Sequence, residues 1–110
     1  MIEVLTAAKS LIAKRGGWTK DEAARTRAGT PTQIQDPKAC SFCTMGAIAR
    51  ASGAQYMNEI KLEISQLLVK AAGIERASHP PGAIMIWNDK TTTKKQDVLA
   101  LFDRAIELAS

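Results

Sequence analysis

Aromatic residues make up only 5% of this chain, there is one histidine, and the two cysteines, Cys40 and Cys43, have no others to pair with. Each scarcity removes a class of protein. Two cysteines cannot build the disulfide framework of a small secreted fold. A structural zinc site wants four ligands, and beyond the cysteines the one soft ligand is His79, with no second C-x-x-C and no H-x-x-x-H. No metal and no cofactor is therefore expected. Long apolar runs are missing too: nothing nears the roughly 18 consecutive apolar residues that span a bilayer. The N-terminus lacks the basic, apolar, small-residue order of a signal peptide. A cytoplasmic protein with reduced thiols and no membrane contact is expected.

The signatures of catalysis are equally sparse. There is no phosphate-binding glycine loop, no H-E-x-x-H and no nucleophile elbow. His79, set between Ser78 and two prolines, could serve a cysteine only if that connector folded back over it. The chain is not expected to be an enzyme.

What is present is 110 residues, the size of one domain covering residues 1–110, with 45% hydrophobic residues and abundant Ala, Leu and Ile. That composition favours helices. An all-α fold, a compact single domain of four to five helices, is expected. Leu5, Ala8, Leu11 and Ile12 recur at helical spacing ahead of Gly16 and Gly17. Thr19 and Glu22 form a T-x-x-E capping box, which predicts a short helix over 20–27. Residues 28–36 read as an extended loop anchored by Ile34, and Asp36 before Pro37 predicts a helix over 37–52 closed by Gly53. A long amphipathic helix over 54–72, stopped by Gly73, carries Met57, Ile60, Ile64, Leu67 and Leu68 on one stripe. Residues 74–82, with Pro80 and Pro81, read as a connector, and "AIMIW" is too short to type. Thr93 and Gln96 form a second capping box before the last helix.

Charge is uneven: residues 1–50 hold eight Lys or Arg against four Asp or Glu, whereas residues 51–110 hold seven of each. Lys14, Arg15, Lys20, Arg25 and Arg27 carry most of the excess. The plain reading is a solvated face at a helix end; the sharper one is a surface for phosphates or an acidic protein. Cys40 and Cys43, taken as helical, would share a face. Cys43, with Gly46 and Ala47, reads as structural core, because a buried thiol packs as a small hydrophobe. Gly46 inside a helix implies that something approaches it closely. Trp87, Asn88 and Asp89 combine an amphipathic aromatic, an amide and a carboxylate ahead of a capped helix. With Trp18, Arg25, Arg27 and Lys90 they form the candidate binding set, placed at one helix N-terminus suited to an anion.

The stretches "GGW" (16–18), "FCTMGAIARASG" (42–53) and "WNDK" (87–90), followed by "VLALFDRAIELA" (98–109), resemble an uncharacterised domain family of bacteria and their phages. Its members are similar in their Gly-Trp, aromatic-Cys-x-x-Gly-Ala and Trp-Asn-Asp motifs. Cys40 departs from that pattern, which speaks against a C-x-x-C purpose. The phage setting that the resemblance implies suggests an inhibitor or modulator of a host system. The expected function is thus a non-catalytic module with a protein partner. A nucleotide or nucleic-acid site on the Trp/Lys/Arg surface is the alternative, and a cysteine-dependent enzyme comes third.

Overall fold

The computed structural model describes residues 1–110. Five α-helices accompany a two-stranded antiparallel sheet, so the fold is α+β and the all-α expectation is overturned. α1 spans Ile2–Ala13 and buries Leu5, Ala8 and Ile12. β1 (Ala24–Thr26) pairs with β2 (Ala39–Phe42), with Ala24 opposite Phe42 and an irregularity between Arg25 and Thr26. Single bridges widen this layer on both sides, from Arg25 to Pro31 and from Phe42 to Trp18. α2 (Thr44–Ser52), α3 (Leu62–Ala71), α4 (Pro80–Asp89) and α5 (Lys95–Ala109) follow.

Two predicted helical stretches are strands for a reason visible in their hydrogen bonds. The Thr19–Glu22 box does not cap a helix, because the Thr19 amide donates to the Phe42 carbonyl and Asp21 sits at φ 68°, which no helix accommodates. Residues 37–42 are not the start of a helix either. The Asp36 carboxylate accepts from the Lys38 amide (2.8 Å) and the Thr32 hydroxyl (2.7 Å), closing a turn that releases the chain into β2. These two donors hold the Asp36 carboxyl below its ordinary value. Along β2, Ala39 and Ser41 are buried and Cys40 is exposed, the period of a strand. Cys40 and Cys43 consequently do not share a helix face.

α2 begins only after Cys43, whose Sγ accepts from the Gly46 amide at 3.3 Å as a sulfur cap. Every residue from Thr44 to Ala49 is buried, which makes this short helix the centre of the molecule. The predicted helix over 54–72 is interrupted. Glu59 Oε1 accepts from the Gln55 and Tyr56 amides, closing the turn at Met57–Glu59, and extended Lys61 then starts α3. Pro80 and Pro81 open a helix instead of forbidding one, because prolines in a first turn lack only amides that have no intrahelical partner. His79 caps that helix, its Nδ1 accepting from the Gly82 amide at 3.1 Å, and "AIMIW" is its interior. At α5 the cap lies one residue beyond the Thr93/Gln96 box: Asp97 accepts from the Lys94 amide, and the Thr93 hydroxyl donates to the Trp87 carbonyl at 2.7 Å.

α1 and α5 run antiparallel, held by the Lys9–Asp103 ion pair and by Lys95 Nζ on the Lys14 carbonyl. Phe42, Met45, Ile48, Leu68, Leu101 and Phe102 are among the fully buried side chains between the layers. No helix is long and apolar enough to cross a membrane.

Candidate functional site

Asn88, fully buried in the last turn of α4, joins three parts of the chain. Its Oδ1 accepts three hydrogen bonds: from the Trp18 indole N–H (2.9 Å), the Thr44 amide (3.0 Å) and the Thr44 hydroxyl (2.7 Å). Its Nδ2 donates to the Thr19 carbonyl (3.2 Å) and to Asp89 Oδ1 (2.9 Å). The same carboxylate oxygen accepts from the Asp21 amide at 3.0 Å. One carboxamide therefore clamps the 18–21 loop and the first turn of α2 to the end of α4. Both of its donor protons and its acceptor oxygen are committed, which leaves nothing for a ligand.

The candidate set divides accordingly. Trp18, Asn88 and Asp89 come together, but at a helix C-terminus facing the start of α2, not at their own helix N-terminus. Trp87 points elsewhere and lines a cleft of about 320 Å³ with Lys90, Thr92, Asp97 and Arg104. Arg25 is occupied: Nε donates to Thr19 Oγ1 (2.9 Å), Nη1 to the Gly29 carbonyl (2.9 Å) and Nη2 to the Lys20 carbonyl (3.2 Å). Arg27 and Lys90 are exposed, and Lys20 lies over the Trp18 ring, 5.4 Å from its centre, while donating to the Lys90 carbonyl.

Cys43, Gly46 and Ala47 are buried. What approaches Gly46 is the main chain entering β1, where an added Cβ would lie 2.0 Å from the Ala23 carbonyl oxygen. Burial pushes the Cys43 thiol above its ordinary value, and the nearby Asp89 charge adds to this. A small cleft of about 240 Å³ leads towards it between Asp21, Glu22 and Asp89. A thiol kept protonated in such surroundings is a poor nucleophile, and the one histidine, His79, caps the start of α4 and does not line the cleft at Cys43. No cluster of three His, Cys, Asp or Glu side chains has the geometry to hold a metal ion.

The two thiols should separate cleanly in a labelling experiment. With a maleimide or disulfide reagent at neutral pH, exposed Cys40 is expected to react within minutes and Cys43 only as fast as the protein opens. The raised Cys43 value also sets the sign of a pH effect. Its stabilising contribution is complete below the ordinary thiol pKa, about 8.5, and falls as the pH rises beyond it, because the unfolded thiol then ionises more readily. Fast native reaction of both thiols would contradict this burial.

Sequence reasoning missed one open feature. The 32–37 loop and the Gln55–Met57 turn flank a mainly apolar groove of about 540 Å³, lined by Ile34, Pro37, Met57, Gln33 and Tyr56 among others. Its outer wall is firmly held. Gln35 Nε2 donates to the carbonyls of Ala49, Arg50 and Ala54, and Arg50 Nη1 donates to those of Ile34 (2.9 Å) and Asp36 (2.8 Å). The amides of Gln33, Ile34 and Gln35 donate to no group of the chain, although Ile34 is only 5% exposed. Tyr56 is 63% exposed. No local pattern announces this groove, since its walls lie some 20 residues apart in sequence.

No curated protein and no solved structure is detectably similar to the chain. The model of a family of unknown function, DUF6197, matches residues 1–108, which include the Asn88 clamp, the groove and every helix and strand but the last residue of α5; the chain belongs to that family.

Proposed function

We propose that this protein is a non-catalytic binding module whose partner is a protein. The observation that carries this reading is the groove between the 32–37 loop and Tyr56. It combines a mainly apolar lining with an exposed tyrosine, and the Gln33, Ile34 and Gln35 amides of its 32–37 wall have no internal acceptor. A partner segment bringing main-chain carbonyls or carboxylates to those amides, with an apolar side chain below, would satisfy both features. Tyrosine is also a residue type on which interfaces concentrate their energy. The commitment of Cys43 and His79 to helix caps supports the non-catalytic half of the reading. Two free thiols suit a reducing compartment, and we place the protein in the cytoplasm. The family resemblance extends the proposal to a phage-encoded inhibitor or modulator of a host protein.

Tyr56→Ser tests the proposal, because the side chain is mostly in solvent and the fold does not depend on it. Affinity capture from the source cells should recover one protein with the unaltered chain and at least about tenfold less with the variant, at equal melting temperature, as expected for a lost interface anchor of about 1.4 kcal/mol or more. Equal recovery with both chains would move the partner away from this groove.

A further inference from the structure

The first half of the sequence holds the excess positive charge, but the fold adds to it. Residues 14–20 and 90–95 run alongside one another in opposite directions, fastened at one end by Lys95 Nζ on the Lys14 carbonyl and at the other by Lys20 Nζ on the Lys90 carbonyl. The Trp18 indole of the first segment is tied to Asn88, two residues before the second begins. These two segments hold six cations, Lys14, Arg15, Lys20, Lys90, Lys94 and Lys95, and no Asp or Glu.

None of the six has an ionic partner, since the one salt bridge of the structure joins Lys9 to Asp103. Four carboxylates adjoin the strip in sequence, Asp21, Glu22, Asp89 and Asp97; none forms an ion pair with it, and Asp89 accepts from the Asp21 amide and Asp97 from the Lys94 amide, so the six cations outnumber the charges beside them. Two of the ammonium groups are held in place by carbonyl oxygens, which orient a cation without cancelling its charge. Thr91 and Thr92 add exposed hydroxyl donors.

We infer that this two-segment cationic strip binds the phosphate backbone of a nucleic acid. Lysine and arginine free of ion pairs, with interspersed hydroxyls, are the groups that contact phosphates without reading sequence. Trp18 is already covered by Lys20 and tied through its N–H, so binding is through phosphates, not base stacking. The strip shares no residue with the Tyr56 groove, and the inference stands apart from the protein-partner reading.

The test measures fluorescence anisotropy of a labelled oligothymidylate of about 20 nucleotides, an oligouridylate and a duplex of the same length, from about 50 to 200 mM salt. The variant Arg15→Gln/Lys90→Gln/Lys94→Gln removes three exposed charges that make no side-chain hydrogen bond. Lys38→Gln/Lys61→Gln/Lys70→Gln lowers net charge equally at other exposed positions. Affinity for at least one nucleic acid should fall about tenfold or more in the first triple and little in the second. The slope of log affinity against log salt should shrink by about 2 only in the first. Equal losses in both triples would reduce the effect to net charge and overturn the inference. So would the absence of binding at the lowest salt, or tighter binding of poly-glutamate than of any nucleic acid, which would make the strip a dock for an acidic protein. Tyr56→Ser is expected to bind the oligonucleotides as the unaltered chain does.

Discussion

Asn88→Ala is expected to lower the stability of the protein by about 3 to 5 kcal/mol, a large part of the roughly 5 to 15 kcal/mol available to a domain. The substitution removes little apolar packing. What it leaves behind is costly: the Thr44 amide and hydroxyl, the Trp18 indole N–H and the Thr19 carbonyl all lose their partner at once. An unmatched buried polar group costs about 1 to 3 kcal/mol, and water in the new space would recover part of that, which keeps the expected total below the simple sum. Trp18→Phe provides the comparison. It removes one of three donors and leaves Oδ1 with the two from Thr44, so a loss near 1 kcal/mol is expected. Urea denaturation of the three proteins measures both values. A loss below about 1 kcal/mol for Asn88→Ala would mean that the clamp is replaced by water.

Gly46→Ala sets two effects against each other. Helix propensity favours alanine by about 1 kcal/mol. Against this, the new Cβ would stand 2.0 Å from the Ala23 carbonyl oxygen and 2.9 Å from its carbon, both main-chain atoms that cannot rotate away. Relief requires β1 to shift, and with it the bond from the Cys43 amide to the Ala23 carbonyl and the pairing of Ala24 with Phe42. Overpacking against a fixed backbone should win, with a net loss of about 3 kcal/mol and a melting temperature lower by roughly 10 °C. A melting temperature at or above that of the unaltered chain would show that the strand yields freely. The Ala23 carbonyl would then not be the reason for a glycine at this position.

These two residues also show how far the sequence could be read. Gly46 stood out because a glycine inside an apolar helix has no local justification, and the close approach it implied is there. The identity of the approaching group was invisible, since Ala23 lies in a segment whose T-x-x-E pattern spelled a helix. Asn88 was visible only as part of a polar motif suited to a ligand. Its saturation by Trp18, Thr19 and Thr44 depends on chain segments 44 to 70 residues away. The sheet was missed because each strand is three or four residues long and its hydrogen bonds go to the other strand, whereas capping patterns are local and were easy to over-read.

By itself the sequence determined where α1 and α5 lie, and that no disulfide framework or membrane-spanning helix is built. Those properties follow from periodicity and composition within a few turns of chain. Only the tertiary structure decided that the buried Cys43 caps α2, that Asn88 is a clamp, and that lysines of a charge-balanced second half join those of the basic first half in one strip without ion pairs. The reason is that hydrogen-bond satisfaction and electrostatic potential depend on distance in space, and for these groups the partners are remote in sequence.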